Sequence, residues 1–203
     1  MDNLQVTTID LMRHGACEGG EIFRGSTDVP LTDTGWQQMR DALAIHSGWQ
    51  RIVCSPLQRC RRFAESLAER EALPLDVYEQ LRELHFGDWE GRRIVDVQSE
   101  HGASLRSFWS DPTQFTPPNG EPMTQFRERV LQAANEVLQR HRGEHVLLIA
   151  HGAVIRQVLC EWLQMPMTAF SSIAVPYAGL SRVRIYYREN AEPWLQLCLH
   201  QGE

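Results

Sequence analysis

The 203-residue sequence has no apolar run long enough to form a transmembrane helix, so a bilayer-spanning protein is not expected. Its opening residues, MDNLQVTTIDLMRHG, lack a basic stretch followed by a long apolar segment, so no secretory signal is read there. Positive charge is also in short supply: 20 Lys and Arg against 26 Asp and Glu leave a formal net charge of −6. That balance argues against bulk electrostatic binding to nucleic acid or to an anionic membrane. An anionic ligand would need a local cationic pocket. The five cysteines (Cys17, Cys54, Cys60, Cys160 and Cys198) are odd in number and scattered, with no CxxC pair. They read as reduced thiols of a cytoplasmic protein. No HxH, HExxH or paired-cysteine spacing points to a metal. Low-complexity tracts, internal repeats and linkers are missing too, so residues 1–203 are expected to form one domain.

What is present is an alternation of strand and helix patterns. TTIDLM, RIVC and HVLLIA are short apolar strands, the last apolar enough to be buried on both faces. Helices are expected in TDTGWQQMRDALAIH, SPLQRCRRFAESLAER, EPMTQFRERVLQAANEVLQRHR and HGAVIRQVLCEWLQ. Thr32 or Thr34 would cap the first of these. In the second, Ser55 suits the N-cap, Pro56 the first helical position and Gln58 the capping box. LSRVRIYYRE and WLQLCLHQ alternate as strands do, with NAEP as a turn between them. The pattern predicts a three-layer α/β/α sandwich on a mostly parallel central sheet. The segment at about 86–119 breaks the alternation and reads as an excursion over the sheet edge.

Three junctions share one design, an apolar strand followed by a basic residue and a turn or helix start. They are Arg13-His14-Gly15, Ser55 to Arg59, and His151-Gly152. Ligands of open α/β sheets sit outside the carboxyl ends of strands, where helix N-termini present free N–H groups. If these strands are neighbours, Arg13, His14, Arg59 and His151 converge, and a phosphoryl group would relieve their mutual repulsion. Arg13 beside His14 favours a neutral imidazole with a lone pair able to attack phosphorus. Gly15 permits close backbone approach. Glu83, in LRELHFGDWEG, is placed to protonate a leaving alcohol; Asp88 and Glu90 are weaker candidates.

The motifs LMRHG, GSTDVPLTDTG, CSPLQRCRRFA, LRELHFGDWEG, PPNGEP and VLLIAHGAVIR occur in one order from Leu11 to about Arg156. Together they resemble the histidine phosphatase superfamily, whose fold is phosphoglycerate mutase-like. The resemblance implies that His14 is the phosphorylated nucleophile and Glu83 the proton donor. It implies that Arg13, Arg59 and His151, with Gly152, hold the phosphoryl group, and that the reaction needs neither metal nor other cofactor. Ala16-Cys17 stands where many members have Glu-Thr, and Gly20 falls where many have a phosphate-contacting Asn. Phosphate binding then lacks one contact or recruits another group, with Arg24 and Ser26 as candidates.

The family also contains mutases, with a long basic insertion between the acid and the second histidine. The short interval here, Glu83 to His151, is similar to the phosphatase branch. The expected partner is a small phosphomonoester. Mutase-type transfer and a catalytically silent phosphate-binding protein are the alternatives. Within the branch, length and motifs are similar to phosphatases of an aromatic base carried on a ribose 5′-phosphate. Phe86, Trp89, Phe108 and Trp109 could stack such a base, although packing against the sheet is the commoner role for each.

Overall fold

The computed structural model describes residues 4–189 and 191–202. Eleven elements follow in order: β1 Gln5–Arg13, α1 Asp33–Leu43, β2 Arg51–Cys54, α2 Gln58–Glu71, β3 Leu75–Val77, α3 Ile94–Ser110, α4 Met123–Arg140, β4 His145–Ala150, α5 Gly152–Trp162, β5 Leu180–Tyr187 and β6 Trp194–His200. The strands form one sheet in the order β3-β2-β4-β1-β5-β6. β3, β2, β4 and β1 run parallel, while β5 and β6 return antiparallel. The mostly parallel α/β sheet is therefore as expected.

Side-chain alternation in β4 divides the core. Leu147 and Ile149 meet Met39, Leu43, Phe63 and Leu67 from α1 and α2. Val146, Leu148 and Ala150 meet α4 and α5, through Phe126, Val130, Val154 and Val158. Both faces of β4 are covered, which is why its sequence is a continuous apolar run.

Three local expectations need correction. α1 is capped by Thr32, whose hydroxyl accepts from Gly35 N at 3.0 Å, and not by Thr34. α2 begins at Gln58 with Leu57 at its cap, so Ser55, Pro56 and Gln58 do not form a capping box. The Ser55 hydroxyl accepts from Leu57 N at 3.3 Å, just ahead of the helix, and also bonds His151 Nε2 at 2.7 Å. The segment at 86–119 carries a full helix, α3, hidden from periodicity because it breaks at His101 (φ −128°, ψ 29°) and leaves Ile94 and Val95 exposed. Its buried Val97, Leu105 and Phe108 join the same core cluster as α4 and α5. Asn190, the first residue of the expected NAEP turn, lies outside the described residues, as do Met1–Asn3 and Glu203.

One polar network crosses the sheet. Asp10, fully buried in β1, accepts from Arg182 Nε and Nη2 (2.6 and 2.8 Å), Trp49 Nε1 (2.8 Å) and His145 (3.0 Å). Burial alone would raise its pKa, but these partners outweigh burial and hold it well below the usual carboxylate range. A depressed pKa contributes stability that is present above about pH 4 and is lost as pH falls further. Asp10→Asn should cost about 3 kcal/mol near neutral pH by leaving Arg182 unpaired. Urea unfolding of both proteins across pH should show that gap closing below about pH 4.

Candidate active site

β2, β4 and β1 are adjacent and end level, with Arg13 opposite Ala150 and Cys54 opposite Ile149. The residues that follow emerge side by side. His14 N donates to Ala150 O and Ser55 N to Ile149 O, both at 3.0 Å. The His14 and His151 rings meet edge-on at 5.2 Å between centroids. Gly15 is required here, because a Cβ would overlap the Gly35 carbonyl at the start of α1.

The hydrogen bonds fix both tautomers. His14 Nδ1 lies 2.8 Å from Gly15 O, and a carbonyl only accepts, so Nδ1 carries the proton and Nε2 keeps a lone pair. His151 Nδ1 accepts from Arg59 Nε at 3.2 Å, so its Nε2 donates to Ser55 Oγ. Burial, then Arg59 and Arg13, push the pKa of His14 well below that of an ordinary histidine. Burial, Arg59 and His14 do the same to His151. Both rings are neutral at physiological pH.

Arg59, in the first turn of α2, is fully buried. Its terminal nitrogens donate to Thr27 O at 2.8 Å and Gly25 O at 2.7 Å. That loop is in turn gripped by Glu90, which accepts from Ser26 N, Thr27 N, Phe86 N and the Thr27 hydroxyl. Burial would raise the pKa of Glu90, but these donors more than offset it and hold the carboxyl below its usual range. Glu90 is therefore a clamp and unsuited to acid catalysis. Asp88 lies on the surface against Asn119.

A cavity of about 310 Å³ opens beside His14. Arg13, Arg24, Glu83 and Gly152 line it with His14. Arg13 donates to Val175 O at 2.7 Å and stacks at 4.3 Å on Tyr177. Glu83 accepts from Leu84 N at 3.0 Å and from Ala153 N at 3.1 Å, which seats its carboxylate on the first turn of α5. Arg24 is fixed at 2.7 Å by the carbonyls of both Glu18 and Gly20. Gly20 and its neighbour Gly19 take positive φ, so their turn delivers these carbonyls to Arg24. Arg59 and His151 do not reach the cavity surface and sit behind His14. Ser26 is not there either, since its hydroxyl is spent on His85 at 2.7 Å. Phe86, Phe108 and Trp109 line the cavity, whereas Trp89 is buried in the core between Phe23, Phe108 and Phe115.

Sequence reasoning missed Arg156 and Tyr177, which also line the cavity. Arg156 left a signal, since it stands four residues after Gly152 and hence one helical turn along the same face. Tyr177 left none. Among the described residues no group of three or more His, Cys, Asp or Glu side chains is placed to hold a metal ion. No described helix is long and apolar enough to cross a membrane.

This arrangement, a neutral histidine framed by arginines with a carboxylate across a pocket, is that of an enzyme acting on phosphate esters. Residues 9–195 match the family model for the histidine phosphatase superfamily (branch 1), and the chain belongs to that family. It is similar to the adenosylcobalamin/alpha-ribazole phosphatase of Salmonella typhimurium, at 29% identity over 86% of this chain and 89% of that one. It is also similar to the glucosyl-3-phosphoglycerate phosphatase of Mycolicibacterium vanbaalenii, at 28% identity over 81% and 77%. A solved mycobacterial glucosyl-3-phosphoglycerate phosphatase shares the fold at a TM-score of 0.83 and 22% identity, covering 96% of this chain and 98% of that one. The protein is a phosphoric monoester hydrolase of this family.

Two outcomes follow from the site geometry. Because the His14 pKa is depressed, an NMR titration should show no His14 protonation step between about pH 5.5 and 8, where an ordinary histidine titrates. Glu90→Gln should weaken binding of inorganic phosphate by about tenfold, read by calorimetry, because the loop that holds Arg59 loses charge-assisted acceptors.

Proposed function

We propose that the protein hydrolyses a small phosphomonoester without metal, through a phosphohistidine on His14. The observation that carries this reading is the lone pair on His14 Nε2, left free by the Nδ1 bond to Gly15 O, in a cavity that Glu83 shares. In the first step Nε2 attacks phosphorus and the P–O bond to the alcohol breaks. Glu83 gives its proton to the departing oxygen. In the second, Glu83 takes a proton from water, the water oxygen attacks phosphorus, and the N–P bond breaks to return neutral His14 and phosphate.

In this scheme Arg13 and the Gly152 N–H stabilise the phosphoryl oxygens, and Arg59, buried behind them, joins only by turning its remaining N–H bonds toward the cavity. His151 steadies Arg59, and it reaches a phosphoryl oxygen itself only by releasing Ser55. Arg24 is a further contact, in the place left open by Gly20.

Hydrolysis is favoured over mutase-type transfer by the mouth of the cavity. Ile94 and Trp109, which line it, remain 39% and 37% exposed, so water has access to the phosphoenzyme. The segment at 86–119 supplies this outer wall and would act as a lid. A silent binding protein would not need Glu83 on the α5 N-terminus facing the same cavity as His14. For the substrate we favour α-ribazole 5′-phosphate. Phe86, Phe108, Trp109 and Tyr177 form an aromatic wall for a planar base, and relatives of similar length bear that substrate's name. A role in cobalamin assembly would follow. The five free thiols fit a reducing compartment such as the cytoplasm.

Phosphate release from EDTA-treated protein, across α-ribazole 5′-phosphate, sugar phosphates, nucleotides and 3-phosphoglycerate, tests the reading. His14→Ala should abolish release while leaving the protein folded. Glu83→Gln should slow an alcohol ester by about a hundredfold or more and an activated aryl ester far less, since that leaving group needs no proton. Equal losses on both esters would remove Glu83 as the acid, and restoration of activity by added metal would overturn the phosphohistidine scheme.

A further inference from the structure

The proposed scheme gives Arg13, Arg24 and Arg59 work at the phosphoryl group, but the cavity is lined by a further arginine with none. Arg156 projects from the second turn of α5 and is only partly buried. Its Nε donates to Ile173 O at 2.8 Å, which fixes the plane of the guanidinium. Among the described residues neither terminal nitrogen has a hydrogen-bond or ion-pair partner, and the side chain lines the cavity. A Cβ placed on Gly152 would lie 3.3 Å from Arg156 Nη1 and 3.6 Å from Arg13 Nε, so the two guanidinium groups flank that glycine.

Ala153, the next residue after that glycine, donates its N–H to Glu83 at 3.1 Å, so Arg156 stands close to the Glu83 carboxyl. If Glu83 protonates the leaving oxygen, the alcohol portion of the substrate lies on that side. An anchored arginine there with unspent N–H donors is a costly feature to leave facing an otherwise apolar wall of Phe108, Phe170 and Trp109.

We infer that Arg156 is a specificity-determining residue that binds an oxygen carried by the alcohol part of the substrate, beyond the ester bond. The shared chemistry is an acceptor oxygen near the phosphorylated carbon. It can be a hydroxyl or ring oxygen, as on a ribose 5′-phosphate, or a carboxylate, as on a phosphoglycerate. Donors that remain unpaired discriminate against an ester lacking that oxygen more strongly than an apolar contact would. The inference rests on the phosphohistidine reading of the same site.

The test compares wild type, Arg156→Gln and Arg156→Lys on α-ribazole 5′-phosphate, 3-phosphoglycerate and n-propyl phosphate. The last is an alkyl ester with an equally poor leaving group and no further oxygen. Arg156→Gln should lose about tenfold or more kcat/KM on an oxygen-bearing ester relative to its loss on n-propyl phosphate, chiefly through KM. Selective loss on α-ribazole 5′-phosphate identifies a hydroxyl or ring oxygen. Selective loss on 3-phosphoglycerate, partly rescued by Arg156→Lys, identifies a carboxylate. Equal loss on all three esters overturns the inference and makes Arg156 a prop for Glu83 or for the Ile173 segment. Were Arg156→Gln not to fold, Arg156→Lys, which lacks the fork but keeps the stem, would carry the same comparison. Absence of His14-dependent hydrolysis of any ester by wild type is a different result, which overturns the phosphatase reading and takes this inference with it.

Discussion

A guanidinium with no solvent exposure sets the terms for the rest of the site. Arg59 cannot lose its charge, so once buried it must find acceptors. It takes them from the carbonyls of Gly25 and Thr27 and from His151 Nδ1. A loop of bare carbonyls is a poor anchor unless something holds it, and Glu90 does so from the other side. Gly25 packs so tightly that a Cβ would overlap the Leu84 carbonyl and Glu90 Oε1. The loop serving Arg59 therefore rests against the residue that follows Glu83. One packing contact ties the arginine proposed to bind phosphate to the proposed general acid.

The same buried charge explains why two histidines can stand together among arginines. Three permanent cations, Arg13, Arg24 and Arg59, act on His14. Adding two imidazolium ions at buried positions beside them would be prohibitive, so both rings stay neutral. Neutrality is what nucleophilic attack on phosphorus requires. The cationic character of the pocket also runs against the chain's overall charge of −6, so it is local to this spot. No lysine occurs in the sequence, and all 20 basic side chains are arginines. Planar forks that satisfy carbonyls on one edge and leave N–H groups on another are the form in which this protein buries cations.

The strand ends, the neutral state of His14 and the alternation of the core were legible because each has a short-range cause. Arg13 sits beside His14 in the chain, and β4 is apolar throughout because it is covered twice. What was not legible depends on distant partners. Ser55 has the chemistry of a helix cap, and only the fold brings His151 close enough to claim its hydroxyl. α3 escaped notice because its stripe is broken at His101. Arg24 could be named from the sequence, but not its anchoring by the Glu18 and Gly20 carbonyls, which needs two glycines at positive φ. Tyr177 reaches the site from the turn before β5, and nothing near it in the sequence points to His14.

The cysteine three residues after His14 is a departure that the same electrostatics explains. Cys17 Sγ lies 3.4 Å from both His14 Nδ1 and Gly15 O. A thiolate at that distance would favour a charged imidazolium and take away the lone pair. Burial raises the Cys17 pKa, although Arg24, Arg59 and Arg13 pull it the other way. The thiol therefore stays protonated and leaves Gly15 O as the acceptor that orients the ring. A hydroxyl would compete for that carbonyl more strongly than sulfur does, because S–H is the weaker donor. Cysteine at this position fills the space beside His14 while leaving its tautomer to the backbone.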